Sequence, residues 1–180
     1  MKEHVYPIHA FFCIISNITK EVNMTQNNEE ICIELLEKRG VKIEDIAKCA
    51  LHLQKKYHPE VTLDECIDIV HSVIAKREVQ HAILTGLQLD MLADSKVEMV
   101  GNLKELLNTD EGLFGIDEVL AYGICNLYGS IALTNYGYID KEKPCIIGVL
   151  NEQKDQCNCF LDDIVGAIAA AVASKIAHNS

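Results

Sequence analysis

Hydrophobic side chains recur every three or four positions along most of the chain, which is the spacing of amphipathic helices. The pattern predicts helices over residues 27–40, 44–57 and 97–107. Over residues 62–93 it predicts either one long helix or two helices with a small bend. No alternating polar and apolar run is long enough to predict a strand.

The segment Val119–Ile139, which follows these helices, contains no charged residue. Its polar side chains make insertion into a bilayer costly. We therefore expect a helix that is buried in the protein, with a second subunit covering part of it. The turn signal Asn135-Tyr136-Gly137 predicts the end of this helix. A last helix is predicted over residues 161–177, and the glycine and alanine content of both helices indicates close packing.

These elements predict an all-α fold, a single-domain bundle of about six to eight helices. We expect this domain to span residues 24–180. Residues 1–23 have a different pattern, and their apolar stretch, residues 8–15, is too short for a membrane span. We expect residues 1–23 to be a disordered N-terminal extension, and we predict no transmembrane segment.

Composition and charge restrict the possible partners. Hydrophobic residues make up 49% of the chain and charged residues 24%, which is typical of a folded globular protein. The formal net charge of -11 repels nucleic acid and anionic membranes, so nucleic acid is not an expected partner. A phosphate ligand would need a divalent cation held by carboxylates. The cysteines fall mostly on apolar helix positions, and Cys157-x-Cys159 lacks the further ligands of a zinc site. This pattern of cysteines is typical of a protein in a reducing cytoplasm.

Two predicted helices begin with the same pattern, in which two acids follow an apolar residue and precede two apolar residues and a small one. The two runs are Ile116-Asp117-Glu118-Val119-Leu120-Ala121 and Leu161-Asp162-Asp163-Ile164-Val165-Gly166. As helix caps, the acids would stabilise each first turn by about 0.3–1 kcal/mol. Alternatively, close packing of the two helices would bring the carboxylates together as a Mg²⁺ site. The predicted metal ligands are then Asp117, Glu118, Asp162 and Asp163, and the catalytic residues among them are Glu118 and Asp163.

Other polar residues are candidates for substrate binding. Lys76 and Arg77 can meet a phosphate, although a solvated helix face is the alternative interpretation. Ser130 and Asn135 are the polar candidates within the uncharged segment. Among the other acids, Glu78 and Asp90 are weaker candidates, because at twelve residues apart they do not share one narrow stripe of the predicted helix.

Several runs of the sequence resemble one protein family. These runs are Lys76-Arg77-Glu78-Val79-Gln80, Leu84-Thr85-Gly86, residues 111–118, Tyr128-Gly129-Ser130-Ile131, residues 134–141 and residues 160–167. Over about residues 27–178 the chain resembles the soluble phosphatidylglycerophosphatase A-related proteins of Gram-positive bacteria, also called low-temperature-requirement C proteins.

The resemblance implies a magnesium-dependent reaction that removes phosphate from phosphatidylglycerophosphate and gives phosphatidylglycerol. Asp162-Asp163 is similar to an Asp-Glu pair of the membrane enzyme, with Asp in place of Glu. The Gly-Ser-Gly and Pro-Gly-Thr region of that enzyme is reduced here to Gly129-Ser130.

Three functions remain open at this point. The first is a Mg²⁺-dependent phosphatase that acts on phosphatidylglycerophosphate or on a smaller phosphate ester. The second is a non-catalytic helical homo-oligomer that binds a partner or a ligand, and the third is a hydrolase of soluble nucleotides. The expected location is the cytoplasm, with at most peripheral contact with the inner membrane face.

Overall fold

The computed structural model describes residues 27–179. Within this range the chain forms nine α-helices and no strand, which confirms the all-α class and adds one helix to the largest number expected. The predicted extension, residues 1–23, lies outside the described residues. The helices are α1 (Asn28–Lys38), α2 (Ile43–Gln54), α3 (Leu63–Ile74), α4 (Arg77–Asp94), α5 (Leu103–Thr109), α6 (Ile116–Asn126), α7 (Ser130–Glu142), α8 (Ile146–Glu152) and α9 (Leu161–His178).

Local sequence signals set the boundaries of the first helices. The Asn27 side chain accepts a hydrogen bond from an amide in the first turn of α1. Thr62 and Glu65 form a capping box at the start of α3. The backbone of Lys76 is extended and interrupts the run of helical residues. Residues 62–93 therefore form two helices, α3 and α4, which was one of the two predicted alternatives.

Helix α9 lies at the centre of the bundle. All its side chains from Leu161 to Ser174 are buried, as expected of a helix that is apolar on every side. Helices α7, α2, α6 and α3 pack around it. The start of α9, which carries the acidic pair, is consequently held inside the protein.

Gly86 marks a very close approach between α4 and α9. A Cβ atom at this position would lie 2.5 Å from Ile164 Cδ1 and 2.9 Å from Phe160 Cβ. Both distances are shorter than a van der Waals contact between carbon atoms. Glycine is therefore the residue that lets the two helices pack at this distance.

Gly86→Ala is expected to destabilise the protein. Alanine favours a helix over glycine by about 1 kcal/mol, but overpacking a core contact costs about 1–3 kcal/mol. Because the clash involves the Cβ of Phe160 as well as a flexible side chain, we expect a net loss of about 1–2 kcal/mol. Chemical denaturation of the variant beside the wild type measures this loss, and a gain in stability would contradict it.

The uncharged segment forms two helices, so the predicted single buried helix is wrong. The chain breaks between α6 and α7 at Gly129, whose φ of 82° suits glycine. The predicted turn at Asn135-Tyr136-Gly137 lies inside α7. Tyr136 keeps that region helical by packing in the core, where its ring contacts Tyr122 at 5.3 Å between centroids. The segment is also only partly buried, since Val119 and Tyr138 are exposed.

Among residues 27–179, no helix combines the length and the apolar character that crossing a membrane requires.

Candidate metal centre

The first turns of α6 and α9 line the same small polar pocket, of about 90 Å³. The end of α7 and the loops before α6 and α9 complete its walls. The lining residues are Asp110, Glu111, Gly112, Asp117, Glu118, Asp140, Lys143, Cys159, Asp162 and Asp163. The structure therefore brings all four acids of the two sequence pairs to one pocket.

Three of these acids form a tight group. Carboxylate oxygens of Asp117, Glu118 and Asp163 all lie within 4.8 Å of one another. Asp117 and Asp163 are buried, and Glu118 is half-buried. The buried Oε2 of Glu118 has no hydrogen-bond partner among residues 27–179. A set of hard oxygen donors with one unsatisfied oxygen fits Mg²⁺, which prefers carboxylate ligands.

Asp162 is paired differently and does not belong to this group. Its Oδ2 accepts a hydrogen bond from Lys143 Nζ at 2.9 Å, and its Oδ1 accepts one from the Asp163 amide at 3.0 Å. Lys143 also pairs with Asp140 at 2.8 Å. The lysine thus holds Asp162 and Asp140 together beside the three-carboxylate group.

The pocket raises the pKa of several of its acids. Burial, together with the charge of Asp162, raises the pKa of Asp163 to about 8. The neighbouring Asp117 carboxyl and partial burial raise the pKa of Glu118 to about 7. Burial raises the pKa of Asp162 to about 6, although the charge of Lys143 opposes this shift. Close carboxylates therefore retain protons near neutral pH unless a cation compensates their charge.

Two further side chains contact the acids. The Cys159 thiol donates a hydrogen bond to Asp117 Oδ2 at 3.3 Å, and burial raises the pKa of this thiol. The buried Tyr136 hydroxyl lies beside Asp163, whose charge adds to burial in raising the tyrosine pKa, but it is in no hydrogen-bond geometry with any group of residues 27–179. Both groups stay protonated, and the Cys159 thiol orients the Asp117 carboxylate through its hydrogen bond.

Asp90 fixes the start of α9 from α4, a helix that is distant in the sequence. Its fully buried carboxylate accepts hydrogen bonds from the amides of Phe160 at 3.1 Å and Leu161 at 3.0 Å. The residue at the N-cap of α9, Phe160, has no capping side chain of its own. Asp90 on α4 therefore takes the role of the cap and positions the Asp162-Asp163 pair that follows.

A second contact holds the loop before α9. Asp94, one turn after Asp90, accepts a hydrogen bond from the Cys157 amide at 2.7 Å. The guanidinium of Arg39 pairs with Asp94 at 2.6 Å and donates to the carbonyl of Cys157. Helix α4 thus anchors the loop at two successive turns.

The structure does not bring the four candidate substrate-binding residues to the acidic pocket. The ammonium of Lys76 lies 4.6 Å from the ring centroid of Tyr128, which follows the far end of α6, and the exposed Arg77 is its neighbour. The rise of a helix places that end about 15 Å from the acids. Ser130 and Asn135 line a separate pocket with Ala177, which is near the opposite end of α9.

Sequence reasoning did not identify Lys143, Cys159 and Tyr136 as members of the site. Cys159 and Tyr136 are distant in sequence from the acids beside them, and Lys143 is nineteen positions from Asp162. The spacing of Asp140 and Lys143, three residues apart near a helix end, is the one local signal that pointed to an ion pair.

The fold and the pocket define the protein as an all-α bundle with a carboxylate centre at paired helix starts. The chain belongs to the phosphatidylglycerophosphatase A family, whose model matches residues 45–178. This match confirms the resemblance found in the sequence.

Relatives extend over nearly the whole domain. The chain is 56% identical over 146 residues to the uncharacterized protein YutG of Bacillus subtilis, which covers 81% of this chain and 87% of YutG. The crystal structure of low temperature requirement C protein from Listeria monocytogenes matches with a TM-score of 0.82 and 54% identity, over 86% of this chain and 97% of that chain. A protein of unknown function from Bacillus stearothermophilus matches with a TM-score of 0.81 and 54% identity, over 86% of this chain and 100% of that chain.

Proposed function

We propose that the protein is a Mg²⁺-dependent phosphatase that removes phosphate from phosphatidylglycerophosphate, or from a smaller phosphate monoester with the same terminal group. The observation that carries the proposal is the group of carboxylate oxygens from Asp117, Glu118 and Asp163 within 4.8 Å of one another. Membership of the phosphatidylglycerophosphatase A family supports the reaction class.

Asp117, Glu118 and Asp163 would hold the cation. When bound, it neutralises charge on the phosphate and lowers the pKa of a nearby water. Glu118 is the least buried of the three, so it is the member of the group that can take a proton from an attacking water. The Asp117 carboxylate keeps its orientation through the Cys159 thiol and the Glu118 amide.

Lys143 supplies the positive charge that lines the pocket. Its ammonium lies between Asp140 and Asp162, and burial of about 70% of its side chain keeps it in place. A phosphate that enters the pocket would meet both this ammonium and the carboxylate group, since both line it. The ammonium can therefore orient a phosphate oxygen beside the acids.

The free thiols of the described cysteines suit a reducing cytoplasm, where we expect the protein to act. A lipid substrate would then be reached by peripheral contact with the inner membrane face. The overall negative charge weakens such contact with anionic lipids, so a divalent cation would assist both docking and the reaction.

Phosphate release by the full chain tests the proposal directly. The purified protein is offered phosphatidylglycerophosphate in detergent, glycerol 3-phosphate and a nucleoside monophosphate, each with Mg²⁺ or with EDTA. We expect Mg²⁺-dependent release, and the preferred substrate separates a lipid headgroup from a soluble ester or a nucleotide. If well-folded protein releases no phosphate from any of them, the phosphatase assignment is wrong and a non-catalytic assembly becomes the better explanation.

Stability should depend on pH and Mg²⁺ together. The folded-state pKa values of Asp163, Glu118 and Asp162 lie above their ordinary values, at about 8, 7 and 6. At these three groups the folded protein then binds more protons than the unfolded chain, so without metal their contribution to stability falls as the pH rises from about 4 to about 8. Mg²⁺ replaces those protons, and its stabilising effect should therefore grow with pH.

Thermal unfolding near pH 6 and near pH 8.5, with MgCl₂ or NaCl of equal ionic strength, measures this linkage. The expected result is a larger increase of Tm with Mg²⁺ at the higher pH. A shift that NaCl reproduces would indicate charge screening in place of a metal site.

A further inference from the structure

Helices α6 and α7 pack against each other, and both expose uncharged side chains between positions 119 and 139. Several of these side chains are large and apolar, with 62% of Val119 and 52% of Tyr138 exposed. The sequence contains no charged residue between positions 119 and 139. We call this surface the α6–α7 face, and it consists of Val119, Tyr122, Gly123, Leu127, Gly137 and Tyr138.

Two glycines on this face have no packing reason among the described residues. Gly123 lies inside α6 and Gly137 inside α7, and both are exposed. A Cβ added to either one would meet no atom of residues 27–179 within 4 Å. Glycine inside a helix is unfavourable relative to alanine, and no contact within the described part of the chain offsets that disadvantage. Close approach by the backbone of another helix does explain glycine at both positions.

The charge of the protein selects the partner. A net charge of -11 opposes association with an anionic membrane. It also opposes the association of two copies, except where the contacting surfaces carry no charge. Two α6–α7 faces meet this condition, because an isologous contact places the same uncharged surface on both sides. The glycines favour a helical partner over lipid, since a bilayer gains nothing from exposed backbone.

We infer that the α6–α7 face is the contact through which two copies of this chain form a dimer. The contact buries Val119, Tyr122 and Tyr138 around the two glycines, and the side chains on both sides are apolar or aromatic. The same two helices also line the acidic pocket. That pocket lies where α6 begins and α7 ends. The dimer therefore holds two walls of that pocket in place, but its formation does not depend on any phosphatase activity.

Sedimentation velocity of the full chain across a wide range of concentrations tests the inference. The wild type is expected to be a dimer, and Val119→Glu is expected to be a monomer, because it places a charge within the contact. Val149→Glu is the matched control, since Val149 on α8 is 61% exposed and lies outside the face. It should remain a dimer. A monomeric wild type, or a Val119→Glu variant with unchanged assembly, overturns the proposal.

Gly123→Ala gives an independent test, because its expected effect differs between a free surface and a dimer contact. On a free surface, the substitution stabilises α6 and leaves the mass in solution unchanged. In the dimer, the added methyl group separates the helices, and the dissociation constant should rise about tenfold or more. Co-sedimentation with phosphatidylglycerol vesicles covers the lipid alternative: wild-type binding that Val119→Glu removes, without any dimer in solution, would assign the face to a membrane and overturn the inference.

Discussion

Asp163→Asn is expected to abolish Mg²⁺-dependent phosphate release and to leave the protein folded. The substitution keeps the shape of the side chain but removes a charge from the three-carboxylate group. A neutral amide binds Mg²⁺ far more weakly than a carboxylate. Loss of a residue that holds the metal or moves a proton typically costs about 10²–10⁴-fold in rate, so kcat/KM should fall at least that far.

The stability of the same variant distinguishes a functional residue from a structural one. Because burial and Asp162 hold the pKa of Asp163 near 8, its charged form is unfavourable in the folded protein. Without metal, Asp163→Asn should therefore unfold at the same or a higher temperature than the wild type at pH values above about 8. The increase of Tm on adding Mg²⁺ should be lost.

Asp64→Asn provides the matched control. Asp64 also lies in the first turn of a helix, α3, but its side chain is exposed and it is far in the sequence from the residues of the pocket. Because Asp64 interacts only with the helix dipole, Asp64→Asn should change stability by less than about 1 kcal/mol and leave phosphate release unchanged. If Asp163→Asn behaves like this control, with full activity, the acids are helix caps and the proposed metal site is wrong.

The sequence was sufficient for the positions of most helices and for the meeting of the two acidic pairs. Apolar spacing predicted the helices because burial of one face dominates helix stability in proteins. The acidic pairs meet because α6 packs against α9 and both helices begin at the same pocket. The same reasoning could not tell which acids point inward, since neighbouring residues differ by about 100° around a helix.

Long-range partners decided the details that the sequence missed. Asp162 and Asp163 were both expected to be metal ligands. Lys143, nineteen positions before Asp162, instead pairs with Asp162, and only Asp163 joins the three-carboxylate group. The turn at residues 135–137 failed to form because Tyr136 gains more from burial beside Tyr122 than the local turn signal contributes. No pattern within a short window contains either contact.

The candidate substrate residues show the limit of reasoning from composition. Lys76 and Ser130 were selected because phosphate binding needs cations and hydroxyl groups. The structure instead places Lys76 against the ring of Tyr128 and Ser130 in a separate pocket. Lys143 has the right chemistry and lies in the acidic pocket, but its sequence context, near Pro144, gave no indication of this.

Asp90→Ala is expected to cause the largest loss of stability among the substitutions considered. The Asp90 carboxylate is fully buried and accepts hydrogen bonds from the amides of Phe160 and Leu161. Alanine would leave both amides buried without an acceptor, and an unsatisfied buried donor costs about 1–3 kcal/mol. We expect a total loss of about 2–5 kcal/mol, measured by chemical denaturation. Asp68→Ala, at an exposed aspartate inside α3, is the control and should be nearly neutral.

Asp90→Asn separates the hydrogen bonds from the charge. The amide oxygen of asparagine can still accept from the start of α9, so this variant should lie between the wild type and Asp90→Ala in stability. Its activity should follow the same order, because a shift of the α9 start displaces Asp163 from Asp117 and Glu118, and a displacement of about 1 Å can cost about 10²-fold in rate. Activity lost in both variants with no loss of stability would instead assign Asp90 a direct role in the chemistry. If stability and activity fall together, and fall further in Asp90→Ala than in Asp90→Asn, Asp90 is the residue through which α4 positions the acidic centre.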